Sequence, residues 1–248
     1  QRQINSDLEG AGDGPVPTDC LPDQVADLEA LRTPLSLLKG GAPSSKRPQD
    51  SDALKSLAAR VDDNPSNAIF WALLAKAQLQ SGQASAEVIK NAQIAAGLCD
   101  SWALPKNLVG SAHFADDKGN EAEVAWRSAL GLAPDYAAPR FNLALLAVKK
   151  KAWQEAVTQL DKLLDKHKHH KSAHLLRAQS HLGLGSLKEA EADARGAIER
   201  DGSNANAHVI LGQALGQQGK VEDGKAAFCK ARVLGHPAGA KLCPDSTP

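Results

Sequence analysis

Methionine is absent from this chain, and aromatic residues make up only 4% of its 248 positions, with a single tyrosine. The absence extends to position 1, so the expectation is that a start has been removed; a cleaved signal peptide would leave no trace. With few aromatics, a core must be filled by smaller side chains. Ala, Leu and Gly are abundant and β-branched runs are scarce, which favours helices packed through small residues. Neither charge is in excess, with 29 basic and 29 acidic residues. That balance argues against a general nucleic-acid binder, which carries a basic surplus. No apolar run approaches the roughly 18 residues a membrane helix needs, so no transmembrane segment is expected. There is no G-x-S-x-G elbow, phosphate loop or H-E-x-x-H helix, so neither an enzyme nor a cofactor is expected. The paired acids Asp62-Asp63 and Asp116-Asp117 read as turn residues serving solubility and capping.

Cysteine is sparse: Cys20, Cys99, Cys229 and Cys243. None of the spacings is C-x-x-C, so zinc and thioredoxin-type chemistry lose support. Four cysteines allow three pairings. If bridges form, Cys229–Cys243 is preferred, because the tail could fold back on the last helix, and Cys20–Cys99 would then tie down the N-terminal arm. Buried free thiols are the alternative. Bridges together with the missing start point to a bacterial periplasm or the cell exterior.

What the sequence does contain is a repeat. Gly110, Ala144, Ala178 and Gly212 are 34 residues apart, and so are Ala122, Ala156, Ala190 and Gly224. Trp126, Leu160, Ala194 and Phe228 form a third column, and Ala129, Leu163, Ala197 and Ala231 a fourth. The copies run 103–136, 137–170, 171–204 and 205–238. Each holds two apolar-periodic segments separated by a polar turn, as in Leu182 to Glu189. There Ser186 and Glu189 form a capping-box signature for the second helix. Small residues in the first two columns let the helices of a hairpin approach closely. The larger third-column residues are expected to fill space between hairpins. Such a unit cannot bury its apolar face alone, so neighbours must stack.

A looser copy, about one residue longer, covers 68–102, with Trp71, Leu74 and Ala75 in its first helix and Val88, Ala92, Ala95 and Ala96 in its second. Residues 22–66 read as N-terminal helices of a degenerate repeat. Ala53, Leu57 and Val61 mark a second helix, and 22–39 a first helix that Pro34 would kink or end. Gly40 to Pro48 is a loop by composition. Residues 1–21 read as a disordered arm, and 239–248 as a tail or cap.

The period, the small-residue columns and Pro134 at the end of a copy resemble the tetratricopeptide repeat. Gly224 and Leu163 depart from its commoner alanine, and its first-helix tryptophan stands only at Trp71. The resemblance implies an all-α, right-handed superhelix of about five helix-turn-helix repeats, with an N-terminal arm and a C-terminal cap. It also implies a concave groove, lined by first helices, that receives a peptide or helix of another protein. By register the lining would include Leu104, Leu108, Ser111 and Phe114; Phe141, Leu145, Val148 and Lys149; Leu175, Gln179 and Leu182; and Asn206, Val209 and Gln213. This lining is apolar in the middle and polar toward the C-terminal end, which suits an apolar helix or peptide. A carboxylate clamp of the kind that binds chaperone C-termini is not expected, because the matching positions are mostly Leu, Phe, Ser and Gln. The implied function is a non-catalytic scaffold or adaptor, resembling those that assemble bacterial envelope complexes. Two alternatives stay open. One is a metal site at His167, His169 and His170, although the three interleaved lysines would oppose a cation. The other is a self-assembling structural protein, a homo-oligomer whose groove takes its own arm. His174 and His208 share one register, which reads as structural placement.

Overall fold

The computed structural model describes residues 16–20 and 48–243. Among the described residues there are twelve α-helices and no strand. The helices are α1 Pro48–Asp63, α2 Ala68–Gln80, α3 Ser85–Leu98, α4 Ala103–Ala115, α5 Gly119–Leu132 and α6 Ala137–Lys149. Next come α7 Trp153–Lys166, α8 Lys171–Leu184, α9 Leu187–Arg200, α10 Ala205–Gln217, α11 Val221–Val233 and α12 Pro237–Leu242. They fall into two compact units, Gln1–Asn142 and Leu143–Pro248, with the division inside α6.

Helices α4, α6, α8 and α10 begin at residues 103, 137, 171 and 205, so the sequence period is the hairpin period. In the looser copy the extra residue lies in the turn of the hairpin. Ser81 to Ala84 join α2 to α3, whereas three residues, Asp116 to Lys118, join α4 to α5. The turns share a further column. Asp117, Lys151, Gly185 and Gly219 all adopt positive φ, between 56° and 82°. Glycine meets that demand without strain at two of the four positions, while Asp117 and Lys151 hold it against a Cβ. The two classes of helix also start differently. Asn67, His170 and Asn204 cap first helices through side-chain acceptors. Second helices carry instead an acid in the first turn, Glu87, Glu121, Glu155 and Glu189, which complements the positive end of the helix dipole. The expected capping box fails accordingly: Ser186 occupies the N-cap position of α9, but its side chain makes no capping bond.

The third column corrects another expectation. Trp126 and Phe228 pack inside their own hairpins. A Cβ on Gly110 would lie 2.5 Å from Trp126 Cδ1, and one on Gly212 would lie 2.7 Å from Phe228 Cε1. The first-column residue is therefore glycine where the facing residue is aromatic, and alanine in the copies where leucine or alanine stands there (Ala144 with Leu160, Ala178 with Ala194). Close packing explains why glycine faces each aromatic ring.

Residues 16–20 correct the expectation of a disordered arm over 1–21. Val16 is 2% exposed and belongs to the core that includes Leu57, Phe70, Leu73 and Leu104. Thr18–Cys20 form a 3-10 turn, Ser101 Oγ donates to Asp19 Oδ2 at 2.8 Å, and Cys20 is joined to Cys99 with Cα atoms 5.5 Å apart. Cys229 is joined to Cys243, with Cα atoms 4.8 Å apart, which fastens the end of α12 to α11. Pro48, expected in a loop, is the first residue of α1. The expected first helix at 22–39, the rest of the arm and residues 244–248 lie outside the described residues.

Candidate functional site

First helices place two faces side by side, and the helical repeat decides which residues share one. On α4, Asn107, Ser111 and Phe114 stand on one face. Asn142 Nδ2 donates to Asn107 Oδ1 at 3.3 Å and to Ser111 Oγ at 3.4 Å, and Asn107 Nδ2 reaches Tyr136 Oη at 3.4 Å. Phe114 packs on Trp126 with ring centroids 5.5 Å apart. This polar ladder ties α4 to α6 and leaves Ser111, Phe114 and Phe141 partly exposed.

In the first unit, two residues of the expected lining are not surface residues. Leu104 and Leu108 are 0% and 3% exposed and belong to the core of the first unit. Leu104 is a large apolar side chain in a column that carries Ala138, Ser172 and Asn206 elsewhere, and burial claims it. Leu108 lies one position off the column of Phe141, Leu175 and Val209; the residue in that column is Asn107, which the sequence reading missed although the 34-residue period points to it.

In the second unit, Leu145, Val148, Leu175 and Leu182 are partly exposed, and Lys149, Gln179, Asn206 and Gln213 are exposed. Leu175 and Leu182 rest on a core that contains Ala178, Ala194 and Ile210, so each shows only part of its side chain. Val209 is 8% exposed and counts as core. Asn206 Oδ1 accepts from His236 Nε2 at 2.9 Å, which links α10 to the N-cap of α12.

A second column reaches the other way. Trp71 Nε1 donates to the Pro65 carbonyl at 2.8 Å, six residues back, and Arg140 donates to the carbonyl of Pro134. His174 Nε2 and His208 Nε2 reach the carbonyls of Lys168 and Gly202 at 2.9 and 3.2 Å. One column thus holds the connection before each of these first helices, and His174 and His208 are structural members of it.

The histidine run is dispersed by the same logic. His170 caps α8, with Nδ1 accepting from the Ala173 N–H at 3.1 Å, and burial pushes its pKa down, which keeps that nitrogen free of a proton. His167 and His169 lie in the exposed connection before it. Among the described residues no three His, Cys, Asp or Glu side chains are grouped to share a metal ion.

A partly buried ion cluster was not foreseen. Arg177 on α8 donates through Nε and Nη2 to both oxygens of Asp193 on α9, at 2.8 and 2.7 Å, and through Nη1 to Asp161 on α7 at 2.7 Å. His174 and His181 flank Asp193 at 3.6 and 3.8 Å. Hydrogen bonding to Asp193 raises the Arg177 pKa further. Each acid lies sixteen residues from the arginine. For Asp193 that spacing equals the offset between the starts of α8 and α9, and these two spacings are the trace the cluster leaves in the sequence.

Comparison with known proteins follows this geometry. Residues 141–231 match the family model described as anaphase-promoting complex, cyclosome, subunit 3. No curated protein matches the chain. Among solved structures, YrrB, a tetratricopeptide-repeat protein with an unusual peptide-binding site, is similar at TM-score 0.63 and 18% identity, covering 76% of this chain and 97% of its own. MamA from Desulfovibrio magneticus RS-1 is similar at TM-score 0.62 and 17% identity, covering 68% and 94%. The Cut9–Hcn1 hetero-tetramer of the APC/C contains a chain similar at TM-score 0.73 and 14% identity, covering all of this chain and 46% of that one. Among the described residues no helix is long and apolar enough to cross a membrane. By its period, its helix hairpins and these likenesses, the chain has the tetratricopeptide-repeat fold.

Proposed function

We propose that the chain is a non-catalytic scaffold that holds a peptide or helix of another protein against its first helices. The observation that carries this reading is the exposed register of the second unit. Leu145 and Val148 on α6 and Leu175 and Leu182 on α8 show part of their apolar surface at intervals of one or two helical turns, with exposed Gln179 and Gln213 beside them. Partly open aliphatic side chains with interleaved amides suit an apolar peptide whose backbone needs hydrogen-bond partners. Ser111, Phe114 and Phe141 offer a similar mixture in the first unit. The peptide-binding site named for YrrB supports the reading by likeness of fold. The two disulfides favour an oxidising compartment, a periplasm or the exterior, and assembly of an envelope complex there.

The test is a cross-linked pull-down from native extract with the wild-type chain and Leu145→Asp, after circular dichroism shows equal helicity. A partner captured by wild type and lost by the variant is the expected result; equal capture by both would place binding on another surface. For the compartment, a thiol count on protein isolated without reductant should find none, and four free thiols would exclude it.

A further inference from the structure

The ion cluster of the 171–204 copy has a vacant equivalent two copies earlier. Shifted back by 68 positions, Asp161, His174, Arg177, His181 and Asp193 become Gln93, Lys106, Val109, His113 and Ala125. In the later copy the arginine bridges the flanking second helices across the first helix. In the earlier copy valine replaces the arginine, and glutamine and alanine replace both acids. The space is open there: a cavity of about 550 Å³ lies between α3, α4 and α5, lined by all five of these earlier residues. Its volume falls in the range of binding pockets.

The cavity has an apolar floor with one cation, Lys106, at its edge. Ala96, Val109 and Ala125 form the apolar lining, and Val124, 69% exposed, stands beside them. Lys106 occupies the column in which Trp71, Arg140, His174 and His208 donate to a carbonyl six residues back. Among the described residues it makes no such bond and no ion pair. His113 also lines the cavity, but its Nδ1 is sealed from solvent and lies out of a ligand's reach. Glu121 at the rim belongs to the first-turn acids that complement helix dipoles. The acids that hold a guanidinium in the later copy are gone, which leaves Lys106 without a carboxylate partner among the described residues.

We propose that this cavity docks an acidic, leucine-bearing helix of another protein. A leucine side chain enters between α3 and α5 over Val109 and Ala125, and a carboxylate from the same helix meets the Lys106 ammonium. The face used is the side of α4 away from Asn107, Ser111 and Phe114, so this inference stands apart from the function proposed above.

The test uses the full chain and two labelled synthetic helices, one of leucine and glutamate and one with lysine for every glutamate. Fluorescence anisotropy should show the glutamate peptide binding about tenfold tighter or better, with Lys106→Glu reversing the preference. Val124→Arg, at an exposed position that leaves folding intact, should weaken binding by about tenfold, and Leu145→Asp should leave it unchanged. Amide shifts on binding should centre on Val109, Val124 and Ala125. Equal binding of the two peptides, insensitivity to both cavity variants, or shifts centred elsewhere would overturn the proposal. So would magnetisation transfer in the free protein from these residues to residues 21–47, which would give the cavity to the chain itself. Dimerisation abolished by Val124→Arg would give it to a second copy and equally overturn the proposal.

Discussion

Gly110→Ala is the substitution that most directly tests how the hairpins close. Glycine inside a helix costs about 1 kcal/mol relative to alanine, so helix propensity alone makes this change stabilising. The structure reverses the sign. The new Cβ would meet Trp126 Cδ1 and Nε1 at 2.5 Å, and the indole, 1% exposed, has little room to yield. Overpacking of this kind costs about 1–3 kcal/mol, which leaves a net loss of about 1 kcal/mol. Trp126→Leu alone should cost about 3 kcal/mol through the space it vacates. The double variant reproduces the Ala144 and Leu160 combination of the next copy. Its alanine methyl enters the vacated volume and recovers helix propensity, so it should be about 1 kcal/mol more stable than Trp126→Leu. The singles and the double therefore couple by about 2 kcal/mol, measured by urea unfolding followed by circular dichroism. Costs that add to within about 0.5 kcal/mol would refute the argument that the two columns share one volume.

Removing Arg177 as Arg177→Ala leaves the Asp193 carboxylate, 10% exposed, facing only histidines, and should cost about 3 kcal/mol in the same unfolding assay. Asp161→Asn removes a partner that is 55% exposed and should cost under about 1 kcal/mol; equal costs would contradict the assignment of Asp193 as the buried partner. Glu191 accepts from Lys220, Arg195 and Gln218, which lowers its pKa from 4.5 to about 2. Its contribution is present above pH 4.5 and lost as pH falls toward about 2, so Glu191→Gln should remove that part of the acid dependence of stability, and an unchanged pH profile would count against the cluster. By loop-closure entropy the Cys20–Cys99 bridge, spanning 79 residues, contributes about 4.5 kcal/mol and Cys229–Cys243, spanning 14, about 3 kcal/mol. Cys20→Ser should accordingly destabilise more than Cys243→Ser in thermal melts.

The repeat was legible in the sequence because each copy solves the same packing problem. Two helices that close against each other need small residues at fixed depth, and the constraint recurs every 34 residues as Gly110, Ala144, Ala178 and Gly212. The within-hairpin turns were legible in part, since Gly185 and Gly219 stand in a positive-φ column that Asp117 and Lys151 disguise. The surface was read less well. Asn107 and Leu108 are adjacent, and a one-residue difference turns a helix by about 100°, enough to exchange a ladder residue for a core residue. Burial of Leu104 depends on what packs over it, which no pattern within its own copy records. The Arg177 cluster and the open cavity occupy the same register, and their difference is set by side chains from three helices that meet only on folding. The sequence by itself determined the helices, their pairing and their period, because those follow from local spacing and small-residue contacts between chain neighbours. Tertiary structure alone decided which side chains stay exposed, which charges are buried together and where space remains, because each depends on the summed volume and polarity of segments far apart along the chain.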